Sequence, residues 1–288
     1  MNIHTAIAVC HERLTALYED EELPELSRLV VGEAMGMSHT ELLLTDKGRV
    51  LTVSQYARLS EILLRLQAAE PIQYVLGKTF FYDHEFEVGP GVLIPRPETE
   101  QLCDLIVRAE RLCTGLRFLD VGCGSGCIAI SLAAAIPHSE AWAMDLSSEA
   151  LAIASRNAER LLPERPIRFV QADMTQTSAL LSLIDVRFDL IVSNPPYIRP
   201  EEARQMRPNV LDYEPHSALF APEGDPLFFY RHIAALAKDR LLDGGRIYLE
   251  VNEVLAHDTA ILFEGTLSQK ARVVQDWKGK DRFVIVGA

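Results

Sequence analysis

The sequence predicts an α/β fold in which a seven-stranded, mostly parallel sheet follows a small all-helical domain and a β-hairpin linker. Three observations lead to this prediction. Apolar residues recur at helical spacing up to about residue 70, aromatic and β-branched residues broken by glycines come next, and short apolar strands then alternate with helices. We therefore expect domains at residues 1–70, 71–95 and 96–288.

The N-terminal region carries the periodicity and the boundary signals of helices. Apolar residues of the first helix repeat at alternating steps of four and three residues: Ile3, Ile7, Cys10, Leu14 and Leu17. Pro24 stands where a first-turn proline is tolerated, Ser38 and Glu41 can form a capping box, and Pro71 ends a further helix. These signals predict a bundle of several short helices.

The C-terminal region contains short apolar segments that alternate with helical patterns, as in a parallel sheet with crossover connections. The predicted strands are Leu116–Val121, Ala141–Asp145, Ile167–Ala172, Phe188–Ser193, Arg246–Val251, Ala271–Asp276 and Phe283–Val286. The proline-rich span 194–226 lacks a clear period. A long loop that follows a strand is a natural place for a substrate site.

Composition and charge exclude several classes of protein. The chain of 288 residues has 28 Lys and Arg against 41 Asp and Glu, a formal charge of −13, which disfavours duplex nucleic acid as a partner. Its five cysteines form no Cys-x-x-Cys pair and indicate a reducing cytoplasm. The uncharged stretch 121–139 contains glycines and Pro137, so we expect no membrane span, and we expect a monomer.

A glycine loop follows the first predicted strand of the sheet. The segment Gly122-Cys123-Gly124-Ser125-Gly126 joins that strand to a helix-like stretch, at the edge where open α/β sheets bind ligands. Because Cys127 stands in the sixth position, the spacing differs from the dinucleotide motif G-x-G-x-x-G. The alternative is that these glycines only form a tight turn.

Acidic residues end the next two predicted strands. Asp145 lies about 20 residues beyond the glycines, where a carboxylate can accept both ribose hydroxyls of an adenosine group. Asp173 with Met174 can flank the adenine ring, one by a hydrogen bond and the other by packing. The alternatives are that the carboxylates cap helices or that the cofactor is a nicotinamide, for which no hydride-transfer site accompanies the glycines.

The tetrapeptide Asn194-Pro195-Pro196-Tyr197 directly follows the fourth predicted strand of the sheet. An amide or aryl amine is a poor nucleophile because its lone pair is delocalised, and two acceptors on its NH₂ group favour a localised lone pair. The side-chain carbonyl of Asn194 and the backbone carbonyl of Pro195 can be those acceptors, while Tyr197 stacks on the planar group. The tetrapeptide therefore predicts methylation of such a nitrogen, the alternative being a rigid turn.

Several motifs along nearly the whole chain resemble those of the peptide chain release factor N5-glutamine methyltransferases. Besides the glycine loop, the matching segments are Glu70-Pro71-Ile72-Gln73-Tyr74, Ile94-Pro95-Arg96-Pro97-Glu98-Thr99-Glu100, Ser193-Asn194-Pro195-Pro196-Tyr197-Ile198, Tyr213-Glu214-Pro215 with Ala218-Leu219, and Asp281-Arg282. The resemblance implies a Rossmann-like class I methyltransferase sheet behind a helical domain that recognises the substrate.

The same resemblance implies the cofactor and the partner. It places S-adenosylmethionine at Gly122–Gly126, Asp145, Met174 and Asn194, and it makes class 1 release factors the substrate. Their Gly-Gly-Gln loop would deliver its glutamine to Asn194-Pro195-Pro196-Tyr197. Methylation of this glutamine would modulate translation termination. From its place on the third strand we add Asp173 to the expected cofactor site.

Three departures from the family pattern concern the adenine pocket and the end of the fifth predicted strand of the sheet. Cys123 replaces a common threonine, Met174 stands where an aromatic residue is frequent, and Glu250 is followed by Val251-Asn252 instead of the usual glycine or histidine. Arg96 has two interpretations. It binds an acidic group of the cofactor or of the substrate, or it forms an ion pair with Glu98 or Glu100. The histidines have no metal-ligand spacing.

Two rival functions remain open from the sequence. The same tetrapeptide chemistry serves enzymes that methylate a flipped adenine or guanine, although the acidic chain lacks the expected positive groove. A non-enzymatic chain would use the fold only to bind translation factors and would have a degenerate cofactor site. The intact motifs argue against this second rival.

Overall fold

The computed structural model describes residues 1–287, which form two compact units. The first unit combines Met1–Gly77 with the returning segment Arg207–Tyr213, and the second combines Lys78–Met206 with the chain from Glu214 onward. The hairpin therefore belongs to the second unit. Within the described residues, no helix has the length and apolarity that a bilayer span requires.

The first unit is a set of short helices around an apolar core. Its main helices are α1 Ile3–Leu14, α2 Leu23–Met35, α3 His39–Leu44, α4 Val53–Gln67 and α5 Ile72–Leu76. Asn2 caps α1 by accepting the Thr5 N–H at 2.9 Å. The predicted capping box of Ser38 and Glu41 is confirmed at the start of α3. Apolar side chains from all five helices share one core.

The returning segment 207–213 is held to this unit by polar contacts. Arg207 forms ion pairs with Glu19 at 2.6 Å and Glu22 at 3.3 Å, and the Tyr213 hydroxyl donates to the Ala68 carbonyl at 2.6 Å. The segment carries one short helix, Pro208–Leu211, the tenth in the chain. Part of the long loop after Tyr197 is thus a component of the helical unit.

The second unit begins with the predicted hairpin, whose strands are β1 Lys78–Phe81 and β2 His84–Glu87. The two turn residues, Tyr82 and Asp83, have φ values of 45° and 65°. Two consecutive positive φ values match the right-handed twist of paired strands, which favours a two-residue turn. Phe81 and Phe86 are fully buried and tie the hairpin to the core.

A seven-stranded sheet forms the body of the second unit, in the order β5-β4-β3-β6-β7-β9-β8. Its strands are β3 Arg117–Val121, β4 Glu140–Asp145, β5 Arg168–Gln171, β6 Phe188–Ser193, β7 Leu241–Glu250, β8 Ala271–Gln275 and β9 Asp281–Val286. Strand β9 runs antiparallel to both of its neighbours, β7 and β8, and the other neighbouring strands are parallel. All seven predicted strands are confirmed, but β7 begins five residues early because Leu241 pairs with Phe188 before an irregularity around Gly244.

Helices cover both faces of this sheet. They are α6 Pro97–Glu110, α7 Cys127–Ala135, α8 Ser148–Leu161, α9 Thr177–Leu183, α11 His216–Leu219, α12 Phe228–Arg240 and α13 Ala256–Leu267. Alternate strand residues pack against α6, α7 and α8 on one face and against α9, α12 and α13 on the other. The chain moves from β3 outward to β4 and β5 and then continues from β6 outward to β7, so the strand order reverses between β3 and β6. This switch point is where open α/β sheets bind ligands.

Candidate active site

A cavity of about 290 Å³ lies at the carboxyl ends of β3, β4 and β6. Most of the predicted site residues line it: Gly122, Cys123, Gly124, Ser125, Asp145, Asp173, Met174, Asn194 and Pro196. Gly126, Pro195 and Tyr197 lie outside this lining. The parallel strands therefore bring the glycine loop, both carboxylates and the Asn-Pro-Pro turn to one place.

The glycine loop is shaped by main-chain hydrogen bonds and by close packing. Gly122 and Cys123 both donate to the Met144 carbonyl at 2.9 Å. Gly126 has a φ of +80°, and a Cβ added there would lie 3.1 Å from the Cβ of Ala154. Gly126 is thus required for the packing of the loop against α8, which explains its place outside the cavity lining.

The Asp145 carboxylate belongs to the last residue of β4 and faces the glycine loop. Its Oδ2 accepts the Gly124 N–H at 2.9 Å, and its Oδ1 accepts the Ser147 N–H at 2.9 Å. The carboxyl group of Asp173 accepts both the N–H and the hydroxyl of Thr175 through Oδ1. Since a carboxylate oxygen has two lone pairs, both residues retain acceptor capacity toward the cavity.

Asn194 is fixed from the side of α6. Its Nδ2 donates to the hydroxyl of Thr99 at 3.1 Å, and that hydroxyl donates to Glu250 Oε2 at 2.7 Å. Thr99 lies in the first turn of α6 and Glu250 ends β7, and both side chains are buried. Sequence reasoning missed Thr99 and left Glu250 without a role, because their partners are far away in the chain.

Glu250 also binds the tyrosine of the tetrapeptide. The Tyr197 hydroxyl donates to Glu250 Oε1 at 2.9 Å. Burial and the Glu250 carboxylate raise the pKa of Tyr197 well above its usual value, so this tyrosine stays protonated. The main chain after it is held by Asn252, whose amide donates to the Tyr197 carbonyl at 3.4 Å and to Glu202 at 3.0 Å.

Arg96 forms an ion pair with the buried carboxylate of Glu214, whose Oε2 also accepts the Ile94 N–H at 3.0 Å. The interpretation of Arg96 as the ion-pair partner of Glu98 or Glu100 is therefore wrong, whereas its interpretation as a partner for an acid of the cofactor or substrate stays a prediction. The contact joins two segments that sequence reasoning had treated separately. Glu214 was missed because a glutamate in a loop resembles any surface residue.

Two further residues that sequence reasoning missed support the glycine loop. Asp120 is fully buried on β3 and accepts the Ala129 N–H at 3.1 Å, and its burial raises its pKa to about 8. Asn157 of α8 donates to the Ser125 carbonyl at 3.0 Å and bonds both main-chain groups of Glu87. An acidic residue inside an apolar strand was the available signal for Asp120.

The residues around the cavity can bind and orient reactants. Within residues 1–287, no cluster of His, Cys, Asp or Glu has metal-binding geometry. The groups around the cavity are hydrogen-bond acceptors, small residues and planar or apolar side chains. Such a set can bind an adenosine group and orient a planar amide beside it.

Two family models match the chain. Residues 5–77 match the PrmC N-terminal domain, and residues 102–211 match the methyltransferase small domain. A release factor glutamine methyltransferase of Bacteroides thetaiotaomicron is 40% identical over 277 residues, which cover 96% of this chain and 97% of that relative. The chain belongs to the release factor glutamine methyltransferase family.

Another member of the family, from Lactococcus lactis, is 41% identical over 82% of this chain and 84% of its own length. The chain is thus an S-adenosylmethionine-dependent protein-glutamine methyltransferase. Among solved structures, the 16S rRNA N2 G1207 methyltransferase of T. thermophilus, with AdoMet and guanosine, has a TM-score of 0.52 and 19% identity, covering 73% of this chain and 49% of that one. That likeness shows a shared fold.

Proposed function

We propose that the chain transfers a methyl group from S-adenosylmethionine to the side-chain amide nitrogen, N5, of the glutamine in the Gly-Gly-Gln motif of class 1 release factors. The observation that carries the proposal is that Asn194 and the glycine loop line one cavity at the switch point of the sheet. The names of the full-length relatives supply the substrate.

The cavity fits the proposed methyl donor. A Cβ added at Gly124 would meet no atom of the described residues within 4 Å, so the space beside the loop is open to a ligand. Gly122–Gly126 and Asp145 would hold the amino-acid and ribose parts, and Asp173 with Met174 would flank the adenine. S-adenosylmethionine supplies an activated methyl group when it is bound. The reaction therefore needs no activated nucleophile from the protein.

The protein's task is then to orient the substrate amide. Asn194 Oδ1 and the Pro195 carbonyl are the proposed acceptors for its two N–H bonds, while Pro196 and Tyr197 complete the binding turn. Acceptors at both N–H bonds favour the electron distribution of the transition state over that of the resting amide. The bond between Tyr197 and Glu250 supports this role because it keeps the ring in one orientation.

We assign recognition of the release factor to the helical unit. The returning segment 207–213 supports this assignment because it belongs to that unit and interrupts the loop that follows the proposed catalytic turn. Release factors act on translating ribosomes, so the proposed reaction takes place in the cytoplasm. We expect the enzyme to act as a monomer, which sedimentation of the purified chain would test.

The deciding experiment measures transfer of labelled methyl from S-adenosylmethionine to purified release factor. Labelling should require the glutamine, so a Gln→Asn substitution in the Gly-Gly-Gln motif should abolish it, and the enzyme variant Asn194→Ala should lose it as well. Label that enters ribosomal RNA or DNA instead would replace the proposal with the exocyclic-amine alternative. Tight binding of release factor without affinity for S-adenosylmethionine would indicate a binding module.

A further inference from the structure

We infer that Thr99 and Glu250 are positioning residues that determine which end of the Asn194 side-chain amide faces the substrate. This inference rests on the proposed role of Asn194 as an acceptor for the substrate amide. We call the three residues Asn194, Thr99 and Glu250 the positioning relay. Glu250 and Thr99 act through Asn194 and need not touch the substrate themselves.

The relay is a continuous chain of hydrogen bonds from the cavity into the core. Asn194 and Thr99 both line the cavity, Asn194 donates to Thr99 at 3.1 Å, and Thr99 donates to the buried Glu250 at 2.7 Å. Thr99 is 3% exposed and Glu250 is 1% exposed. Water therefore does not replace these partners, and each bond must be satisfied within the protein.

The direction of the bonds follows from the number of protons available. The Thr99 hydroxyl has one proton, and an ionised carboxylate can only accept. Both oxygens of Glu250 receive hydroxyl protons, one from Thr99 and the other from Tyr197 at 2.9 Å. Because the Thr99 hydroxyl donates its one proton to Glu250, the Thr99 oxygen can only accept a hydrogen bond from Asn194.

An acceptor on the Thr99 side requires that Asn194 present its NH₂ group there. The carbonyl oxygen Oδ1 is then the end of the amide left to face a substrate. If the bonds ran in the opposite direction, the NH₂ group of Asn194 would oppose the NH₂ group of the substrate, and two donors form no hydrogen bond. The relay thus selects the one amide orientation that can hold a glutamine NH₂.

The charge on Glu250 is the origin of this direction. Burial raises the pKa of Glu250, and the nearby Glu98 raises it further, whereas hydrogen bonds from Thr99 and Tyr197 and the charge of Arg282 lower it. Arg282 lies on β9, beside the strand that Glu250 ends, and donates to the Val251 carbonyl at 3.2 Å. The pKa of Glu250 stays raised on balance, so these contacts offset only part of the effect of burial, and the two hydroxyl donors are the contacts that favour the ionised carboxylate.

The first test replaces Thr99 with valine, which keeps the shape and removes the hydroxyl. We expect kcat for release factor methylation to fall roughly 10- to 100-fold in Thr99→Val, while the Kd for S-adenosylmethionine changes less than about threefold. Thr99→Ser should restore most of the activity. Thr259→Val is the matched control, because the Thr259 hydroxyl is buried and has no partner among the described residues.

A double-mutant cycle separates positioning from general damage. If Thr99 acts through Asn194, Thr99→Val should cost little further activity in an Asn194→Ala background. Full additivity of the two losses, or a Thr99→Val enzyme with wild-type kcat, would overturn the inference. Glu250→Gln tests the other end of the relay, because Thr99 and Tyr197 donate to different oxygens of Glu250 and glutamine has an NH₂ group in place of one of them, so its kcat should fall as well.

A measurement without any methyl acceptor keeps this inference separate from the proposed substrate. Side-chain amide hydrogen exchange of Asn194, followed by NMR in the enzyme alone, should be slow in the wild type and in Thr99→Ser. In Thr99→Val it should be at least about tenfold faster, since its hydrogen-bond acceptor is gone. Equal exchange in wild type and Thr99→Val would exclude the relay even if release factor is methylated.

Discussion

The two sides of the cavity are held in place by different kinds of contact. On the cofactor side, the glycine loop is shaped by main-chain bonds, such as those from Gly122 and Cys123 to the Met144 carbonyl. On the amide side, Asn194 and Tyr197 are held by side chains that meet at the buried Glu250 carboxylate. The cofactor side thus depends mainly on backbone shape, with Asp145 and Asn157 as side-chain partners of the loop, whereas the amide side depends on the identity of each side chain.

This difference predicts which measured property a substitution will change on each side. A change in the glycine loop should appear in the affinity for S-adenosylmethionine or in the free energy of unfolding. A change in the Asn194 network should appear in turnover. The following substitutions test this contrast, beginning with the largest expected loss of turnover.

The largest effect is expected for Asn194→Ala, which removes a proposed acceptor for the substrate amide. We expect kcat to fall roughly 100- to 1000-fold, as for loss of one oriented hydrogen-bonding group in an active site. The rate of single-turnover methyl transfer at saturating S-adenosylmethionine measures this fall. A loss confined to S-adenosylmethionine affinity would move Asn194 to the cofactor side and remove the contrast.

Asp145→Asn should act on the other side of the cavity. The substitution keeps one oxygen but removes the charge that strengthens hydrogen bonds to ribose hydroxyls, so we expect affinity for S-adenosylmethionine to drop roughly 10- to 100-fold. Calorimetric titration gives this value directly. At saturating cofactor, kcat should stay within about threefold of the wild type, and a large fall there would contradict the assignment.

Gly126→Ala tests the packing of the glycine loop against α8. Because Gly126 has a φ of +80° and an added Cβ would lie 3.1 Å from Ala154 and 3.2 Å from Ile130, alanine is disfavoured there. We expect a loss of about 1–3 kcal/mol in the free energy of unfolding, measured in urea. Gly265→Ala in α13, where an added Cβ meets no described atom within 4 Å, should instead add about 0.5–1 kcal/mol.

The last prediction concerns the pH dependence of stability and the buried Asp120. Burial raises the pKa of Asp120 from 3.8 to about 8, so the folded state holds a proton that the unfolded chain releases. Stability should therefore decrease as pH rises from about 4 to about 8 and change little above that. Tm measured across this range should decline less steeply in Asp120→Asn, and parallel declines in both proteins would show that Asp120 is not the source.

Local sequence patterns were sufficient for the fold and for the cofactor side of the cavity. Each strand of the sheet is a short apolar run, and the glycines and Asp145 follow strands whose carboxyl ends meet at one edge. The early start of β7 was not predictable, since Asp243 and Gly244 read as a turn. Their irregular pairing depends on the neighbouring β6.

The amide side could be predicted only in part. Asn194 and Tyr197 stand within one motif, but their anchors lie 95 and 53 positions away in the chain, at Thr99 and Glu250. Nothing local marks a threonine in a first helical turn as a bonding partner of a distant asparagine. The pairing of Arg96 with Glu214, 118 positions apart, was hidden for the same reason.

The returning segment 207–213 has a consequence for recombination between members of the family. A chimera that exchanges only residues 1–77 would keep Arg207 and Tyr213 but replace their partners Glu19, Glu22 and Ala68 with those of another protein. The helical unit is therefore a module encoded in two separate stretches. A graft that keeps these contacts has to transfer both stretches together, because seven residues of the helical unit lie in the sequence between two segments of the second unit.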